Sequence, residues 1–404
     1  MPVFVQKYGG SSVATPARIK EIARRVSETR KDYEHLVVVV SAMGDTTDHL
    51  LALAKEVSSC PSSREVDMLL STGEQVSSAL LVMALEQLNC TAISLTGPQA
   101  GISSSNVHTK AEILKINPAR VQQELNQGKV VVVAGFQGLN GNGDITTLGR
   151  GGSDISAVAL AVALGAPVCE IYTDVEGVFT ADPRLVQTAR LLPEISYDEM
   201  LELANLGAKV LHPRSVEFAK KFAVQLHVRS SFADKEGTIV KGVEKLENKR
   251  VVSGVACDLN TAKAVILGVP DCPGIAYQVV SSLAEAGIGV DMIIQSMMRD
   301  GKNDIAFTVA KDDLLDTVRI MEKLARDLGA EGVAQDPNVA KVSIVGAGIA
   351  NNPAVAATMF GALAEADINI EMISTSEIKI SCLIQENLAK RAVESIHKKF
   401  KLDV

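Results

Sequence analysis

The stretch HLVVVVSAM (residues 35–43) is apolar at successive positions, so neither face of a strand built from it is left for water. A strand buried on both faces belongs inside a parallel sheet covered by helices. Outward from it the same texture recurs in VFVQ (3–6), TAISLTG (91–97), KVVVVAGFQG (129–138) and APVCEIYTDVEG (166–177), with amphipathic helical patterns between. Up to about residue 235 the chain therefore reads as α/β, a mainly parallel sheet sandwiched by helices. In such sheets ligands gather at the carboxyl ends of the strands, and the chemistry is to be sought there.

After the charged, glycine-containing stretch 234–250 the texture changes, because two segments repeat one another. AKAVILGVPDCPGIAYQVVSSLAEAGIGVDMIIQS (262–296) matches AKVSIVGAGIANNPAVAATMFGALAEADINIEMISTS (340–376). Leu283 pairs with Leu363 at an offset of 80 and Lys263 with Lys341 at 78, so the second copy gains two residues in its first loop. Each copy reads strand, loop, helix, strand, strand, helix, the pattern of a small ferredoxin-like α+β module. The first copy continues through DIAFTVA (304–310), a helix over 312–328 and a last strand near GVAQ (332–335), whereas the second ends after its helix at Leu402, one strand short. The orphan apolar run VVSGVAC (251–257) has the right length to supply that strand. The expected domains are 1–245, then a first module over 263–337, with the second module, 246–262 plus 338–404, built around the first.

Composition sets the outer limits. With 47% hydrophobic and 22% charged residues in 404, the chain can bury a core and stay dissolved. Forty Lys+Arg against 48 Asp+Glu leave a net charge of −8, so no nucleic acid partner is expected. The apolar run Ala157–Cys169 is interrupted by Gly165 and Pro167 and falls short of the ~20 residues that cross a bilayer, so no membrane association is expected. The opening MPVFVQKYGG has neither a basic nor an apolar signal region, which points to the cytoplasm. Cys60, Cys90, Cys169, Cys257, Cys272 and Cys382 show neither CxxC nor Cys/His ligand spacing, so reduced thiols are expected, and no metal site made of protein side chains.

No GxxxxGK[ST] and no HRD with DFG occurs, which excludes two common phosphoryl-transfer folds. Four segments carry chemistry instead. In Lys7-Tyr8-Gly9-Gly10-Ser11-Ser12 a strand ends in a lysine and opens into glycines whose N–H groups can close on phosphate oxygens, though on this segment alone a plain strand-to-helix turn before Thr15-Pro16 with a solvated lysine is the favoured reading. In TTLGRGGSD (146–154) an arginine can take a carboxylate with two parallel bonds and an aspartate can organise a lysine or metal; a surface hairpin is the alternative. YTDVEGVFTADPR (172–184) runs from a strand into a polar loop that could frame a nucleotide or merely turn the chain. Glu74 of STGE (71–74), near an expected helix start, could hold an ammonium or serve the helix dipole, and Lys209 of GAKVLHP (207–213) is similarly ambiguous.

Taken together and in this order, KYGGSS, SAMGDTTD, STGE, TTLGRGGSD, YTDVEGVFTADPR and GAKVLHPRS, followed by the tandem repeat, closely resemble the aspartate kinases of the amino-acid kinase family along essentially the whole chain. The resemblance implies ATP-dependent phosphorylation of the β-carboxylate of L-aspartate to 4-phospho-L-aspartate, the first step toward lysine, threonine and methionine. Mg²⁺ would accompany ATP. It implies that Lys7, Asp154 and Lys209 are catalytic, with Lys7 and Lys209 as the phosphate-facing cations. Gly9, Gly10, Ser11, Thr173, Asp174, Phe179, Asp182 and Arg184 would surround ATP. Ser41, Thr47, Glu74, Arg150, Ser153 and Asp154 would line the aspartate pocket, Arg150 on the α-carboxylate and Glu74 on the α-ammonium. The repeat resembles paired ACT modules that sense lysine and/or threonine, and it implies a homo-oligomer joined through them. Asp271, Gly274, Ala276, Asp291, Gln295, Asn369, Ile370 and Ser376 would line the effector clefts, the first loop and helix start of one module facing the second strand of the other. Two alternatives stand beside this reading. One is a kinase of the same fold acting on glutamate or N-acetylglutamate, since pockets differing by one methylene discriminate by only ~1–3 kcal/mol. The other is a non-catalytic amino-acid sensor, which would be expected to have lost Lys7, Asp154 or Lys209.

Overall fold

The computed structural model describes residues 3–208, 210–242, 251–296, 301–350 and 352–404. They fall in two compact units, one within Met1–Val178, Leu191–Asn205 and Lys209–Glu247, the other within Phe179–Arg190, Leu206–Ala208 and Asn248–Val404. The first unit runs β1 (Val3–Tyr8), α1 (Pro16–Asp32), β2 (His35–Val40), α2 (Thr46–Val57), α3 (Ser63–Glu86), β3 (Ala92–Leu95), β4 (Ile102–Ser104) and β5 (Ile113–Ile116). It continues with α4 (Ala119–Asn126), β6 (Val130–Ala134), β7 (Gln137–Leu139), β8 (Ile145–Thr147), α5 (Gly152–Leu164) and β9 (Val168–Thr173). β10 (Glu194–Ser196), α6 (Tyr197–Asn205), α7 (Pro213–Phe222), β11 (Gln225–Ser230) and β12 (Thr238–Lys241) close it.

The main sheet has the order β10-β12-β11-β9-β1-β2-β6-β3 and is parallel throughout except between β11 and β12. The runs apolar on both faces, β1, β2 and β6, sit in its interior, as a doubly covered sheet requires. On one face α1 begins where Thr15 Oγ1 accepts from the Arg18 N–H at 3.3 Å and Pro16 supplies a helical φ. Its Ile19, Ile22, Ala23 and Val26 recur at helical spacing and join Leu36, Val38, Val40, Val130 and Val132 in one core. α5 packs on β1, β2 and β9 and is buried continuously from Gly152 to Ala161, which is why it reads as apolar all round. A short second sheet has the order β5-β4-β7-β8.

One sequence expectation needs correction. STGE does not lie at a helix start; α3 runs through it from Ser63. Ser71 and Thr72 return their hydroxyls to the carbonyls of Met68 and Leu69, at 2.9 and 2.7 Å, so they need not cap. Gly73 is there for close approach rather than for a break, since a Cβ on it would stand 2.9 Å from that of Ala42. By length and composition α3 is long and apolar enough to cross a bilayer. Here it packs beside α1, with Leu81 and Leu85 in the core and the buried carboxyls of Asp67 and Glu74 on its length.

The second unit contains β13 (Gly254–Pro270), α8 (Ile275–Glu285), β14 (Ile293–Gln295), β15 (Lys302–Val309), α9 (Leu314–Leu328), β16 (Gly332–Val345), α10 (Ala354–Glu365), β17 (Met372–Thr375), β18 (Lys379–Gln385) and α11 (Ala389–Lys399). One six-stranded sheet, β14-β15-β13-β16-β18-β17, carries both copies of the repeat. The long strands β13 and β16 lie antiparallel at its centre and each serves both modules. Residues 254–258 of β13 pair with 341–345 of β16 beside β18, and 263–267 pair with 332–336 beside β15. Each module keeps a core of its own, around Phe307 and Met321 in one and Ile344 and Met359 in the other. Two ion pairs cross between them at positions equivalent in the repeat: Lys263 with Glu371, and Lys341 with Asp291. Gly346 and Gly348 answer to packing, since Cβ atoms there would stand 2.2 Å from Val251 O and 2.9 Å from Val251 Cα.

Candidate active site

At the carboxyl edge of the parallel sheet the ladder continues one residue beyond the strands. Gly9 N–H donates to Tyr172 O (3.1 Å), Ser41 N–H to Tyr8 O (3.1 Å), Gly135 N–H to Val40 O (3.0 Å) and Ser231 N–H to Thr173 O (2.8 Å). The loops after β1, β2, β6, β9 and β11 thus leave the sheet in register. Gly10 sits in the turn after β1, where a Cβ would stand 2.9 Å from Ala42 O, so glycine is required for the two loops to approach. Ser11 O accepts from the Arg18 guanidinium, and Ser12 Oγ lies 2.5 Å from Ser231 Oγ, binding the glycine turn to the end of β11.

Lys7 reaches from β1 to Asp154 in the first turn of α5, Nζ to Oδ1 2.5 Å, both side chains about nine-tenths buried. Gly151, at φ +71, opens that helix; a Cβ on it would collide with the His212 ring at 2.3 Å. His212 itself caps α7, its Nδ1 accepting from Arg214 N–H at 3.3 Å, and burial holds its pKa below the usual histidine value. Ser153 is buried beside Gly135, where a Cβ would meet it at 2.9 Å, and Arg150 stands exposed on the same loop.

Glu74 is 3% exposed. One oxygen accepts from Ala42 N–H at 3.1 Å and the other, among the described residues, has no hydrogen-bond partner. Burial pushes its pKa up to about 8, against the pull of backbone N–H groups. Ser41 lies next to it through Ser77, whose hydroxyl donates to Ser41 O at 2.7 Å, and Thr47 is the second residue of α2.

The expected nucleotide residues do not all fall in one unit. Thr173 ends β9 in the first unit and bonds Asp174 Oδ1 at 3.1 Å. Phe179, Asp182 and Arg184 lie in the second, within a segment fixed by Val255 N–H to Thr180 O (2.8 Å), Thr180 Oγ1 to His397 Nε2 (2.8 Å), and Ala181 and Val186 in the module core. Asp182 and Arg184 pair with each other, which holds the Asp182 carboxyl below its usual pKa. Lys209 lies outside the described residues.

Of the expected effector residues, Asp271 accepts from Asn303 Nδ2 at 3.2 Å, Gly274 starts α8 at φ +98, and Ala276 and Gln295 are exposed in the same module. Asn369 and Ile370 precede Glu371, which is held by Lys263, whereas Asp271 follows the last residue of β13. Eight residues at ~3.3 Å each separate those two points of the strand, so one chain does not bring Asp271 opposite Asn369. Asp291 is engaged by Lys341, and Ser376 turns the chain between β17 and β18, its N–H on Lys379 O at 2.9 Å.

Sequence reading missed Asp67, Phe136 and Gln137. Phe136 adopts φ +69 where β6 gives way to the loop, and Gln137, fully buried, donates to Ser71 O at 2.9 Å. Nothing local marks them, because each acts through partners far away in sequence. A cavity of about 490 Å³ between α1 and the β1-β9-β11 face is lined by Gln6, Arg25, Glu170 and Arg229, and neither Lys7 nor Asp154 borders it.

Residues 2–230 match the model of the amino acid kinase family, and residues 265–324 and 342–400 that of the ACT domain. The chain is 51% identical over 407 residues to an aspartokinase of Mycolicibacterium smegmatis, covering 100% of this chain and 97% of that protein. Among solved structures, Escherichia coli aspartokinase III in complex with aspartate and ADP (R-state) superposes with a TM-score of 0.81 at 26% identity, over 98% of this chain and 99% of that one. The same enzyme in complex with lysine and aspartate (T-state) gives 0.79 at 26%, over 98% and 99%. The chain belongs to the amino acid kinase family, and within it to the aspartokinases, the aspartate kinases that carry ACT domains.

Proposed function

We propose that the chain transfers the γ-phosphoryl group of ATP to the β-carboxylate of L-aspartate and is inhibited through its ACT modules by lysine, threonine or both. The observation that carries this is the contrast between a buried, paired lysine at the head of α5 and a buried carboxyl that lacks a partner on one oxygen. The acceptor β-carboxylate is already ionised near neutral pH, so no general base is needed. What remains is to hold two anions together. Lys7 faces the transferring phosphoryl group, with Asp154 fixing its ammonium, and Lys209 is the second cation. Gly9, Gly10 and Ser11 cradle phosphates, for which the tight turn at Gly10 is suited. Mg²⁺, carried on the phosphates, would share in offsetting their charge. Thr173, Asp174, Phe179, Asp182 and Arg184 are assigned to the nucleotide.

On the acceptor side Arg150 takes the α-carboxylate, with Ser41, Thr47 and Ser153 around it, and Glu74 takes the α-ammonium. The unpartnered oxygen of Glu74 favours a substrate with a free amine, which speaks against N-acetylglutamate. We place the effectors at Asp271, Gly274, Ala276, Asp291, Gln295, Asn369, Ile370 and Ser376. Since one chain does not set Asp271 against Asn369, each cleft would draw its two sides from two copies. Exposed Ile293 and Ile373, equivalent in the repeat and on the two edge strands β14 and β17, support a homo-oligomer formed through these modules. Free cysteines fit a cytoplasmic protein. The test is coupled ATP turnover with aspartate, glutamate and N-acetylglutamate, repeated with lysine and threonine. Turnover with aspartate alone, reduced by either effector, is expected; preference for glutamate would overturn the substrate assignment.

A further inference from the structure

Asp67 is fully buried on α3, one helical turn before Ser71 and two before Glu74. Its Oδ1 accepts from Thr147 Oγ1 at 2.5 Å, its Oδ2 bonds His108 Nδ1 at 2.7 Å, and both oxygens accept from Thr109 N–H, at 3.1 and 3.0 Å. None of these partners belongs to its own helix, so the carboxylate is a junction between α3, the 108–109 loop and the end of β8. Thr109 is held at φ +65, a conformation that a β-branched residue keeps only when its surroundings impose it.

The two segments that Asp67 grips also hold one another. Ala111 N–H donates to Thr147 O at 2.9 Å, and the Arg214 guanidinium donates to Leu148 O at 2.6 Å and Ala111 O at 3.2 Å. Gly149, at φ +75, lies so near Thr109 that a Cβ would stand 3.2 Å from its carbonyl oxygen. Arg150 follows directly, between Gly149 and Gly151, and both glycines are in left-handed backbone conformation. A side chain carried between two such glycines is aimed by whatever fixes the backbone on either side of them.

From this geometry we propose that Asp67 is a positioning residue for Arg150, setting the direction from which its guanidinium meets the acceptor's carboxylate. The inference rests on the assignment of Arg150 to aspartate. It is tested by steady-state kinetics on the full chain carrying Asp67→Asn, Thr147→Val, Arg150→Ala and the pair Asp67→Asn with Arg150→Ala, each with its melting temperature. Asp67→Asn and Thr147→Val should each raise the KM for aspartate about tenfold while the KM for ATP and kcat stay within about twofold. The pair should be no worse than Arg150→Ala alone, because Asp67 has nothing left to aim. If Arg150→Ala raises the KM for aspartate but the Asp67 and Thr147 variants only lower the melting temperature, or if the pair is fully additive, Asp67 is merely structural and the inference fails by itself. If Arg150→Ala raises the KM for ATP instead, the substrate assignment fails and takes the inference with it. Should Asp67→Asn not fold, Thr147→Val, which removes one bond, decides alone.

Discussion

Lys7 and Glu74 are both buried at the carboxyl edge of one sheet, yet they are opposite cases. Lys7 has its counter-ion at 2.5 Å, whereas one oxygen of Glu74 has no hydrogen-bond partner among the described residues and burial pushes its pKa up to about 8. A paired charge is fixed in place before any ligand arrives, and a site that must face a developing charge benefits from that. An unpaired buried carboxyl stays protonated until a cation comes to it, so at neutral pH binding an ammonium there must release a proton. The difference separates a group set up for the transition state from one completed by the substrate.

The largest expected effect is on the paired side. Lys7→Ala should lower kcat on the order of 10³-fold with little change in the KM for aspartate, and unchanged kcat would remove Lys7 from the phosphate station. Glu74→Gln comes next: the KM for aspartate should rise by about 10²-fold near pH 8.5, with ATP unaffected. In the wild type that KM should fall as pH rises from 6 toward 8, while the variant should show a flat profile. A wild-type profile that is itself flat would mean that Glu74 does not meet the ammonium. Substitution of Asp271, Gln295, Asn369 or Ser376 should shift lysine or threonine inhibition by roughly tenfold with kcat kept, as a ligand-driven shift between states requires. Inhibition curves that change only on substitution at Glu74 would show that the effector competes at the active site.

The smallest effect concerns stability, and its sign follows from linkage. The folded-state pKa of Glu74 lies above its unfolded value of 4.5, so its contribution is present below that value and is lost as pH rises through about 8. Glu74→Gln lacks this loss, and its melting temperature relative to wild type should therefore be higher at pH 9 than at pH 5. Parallel curves would contradict the displaced pKa.

Much of this was legible in the sequence, for physical reasons that can be named. Runs such as HLVVVV must be interior strands, Thr15-Pro16 must open a helix, and a repeat whose second copy lacks a strand must find one, as 254–258 on β16 illustrates. What escaped depends on contacts across the fold. Glu74 was expected near a helix start, and only the structure shows α3 running through it, with Gly73 serving close approach to Ala42. Ala181, within the stretch read as a polar loop, gave no sign of burial because the core that receives it is built largely from residues beyond 250. Asp67 was passed over because Thr147, its partner, lies 80 positions away.

The sharing of β13 and β16 has a consequence for how the chain comes off the ribosome. Residues 254–258 emerge early, but their partners at 341–345 appear only after the whole first module has been made. That module can close on itself meanwhile, leaving a strand end exposed until the second copy of the repeat arrives. Pairing across so long a stretch carries loop-closure entropy and slows folding, which makes the second module the later and more aggregation-exposed step. Cutting the gene between the copies would therefore separate a strand from its sheet, and a truncated chain ending near residue 337 would keep 254–258 as an unpaired edge.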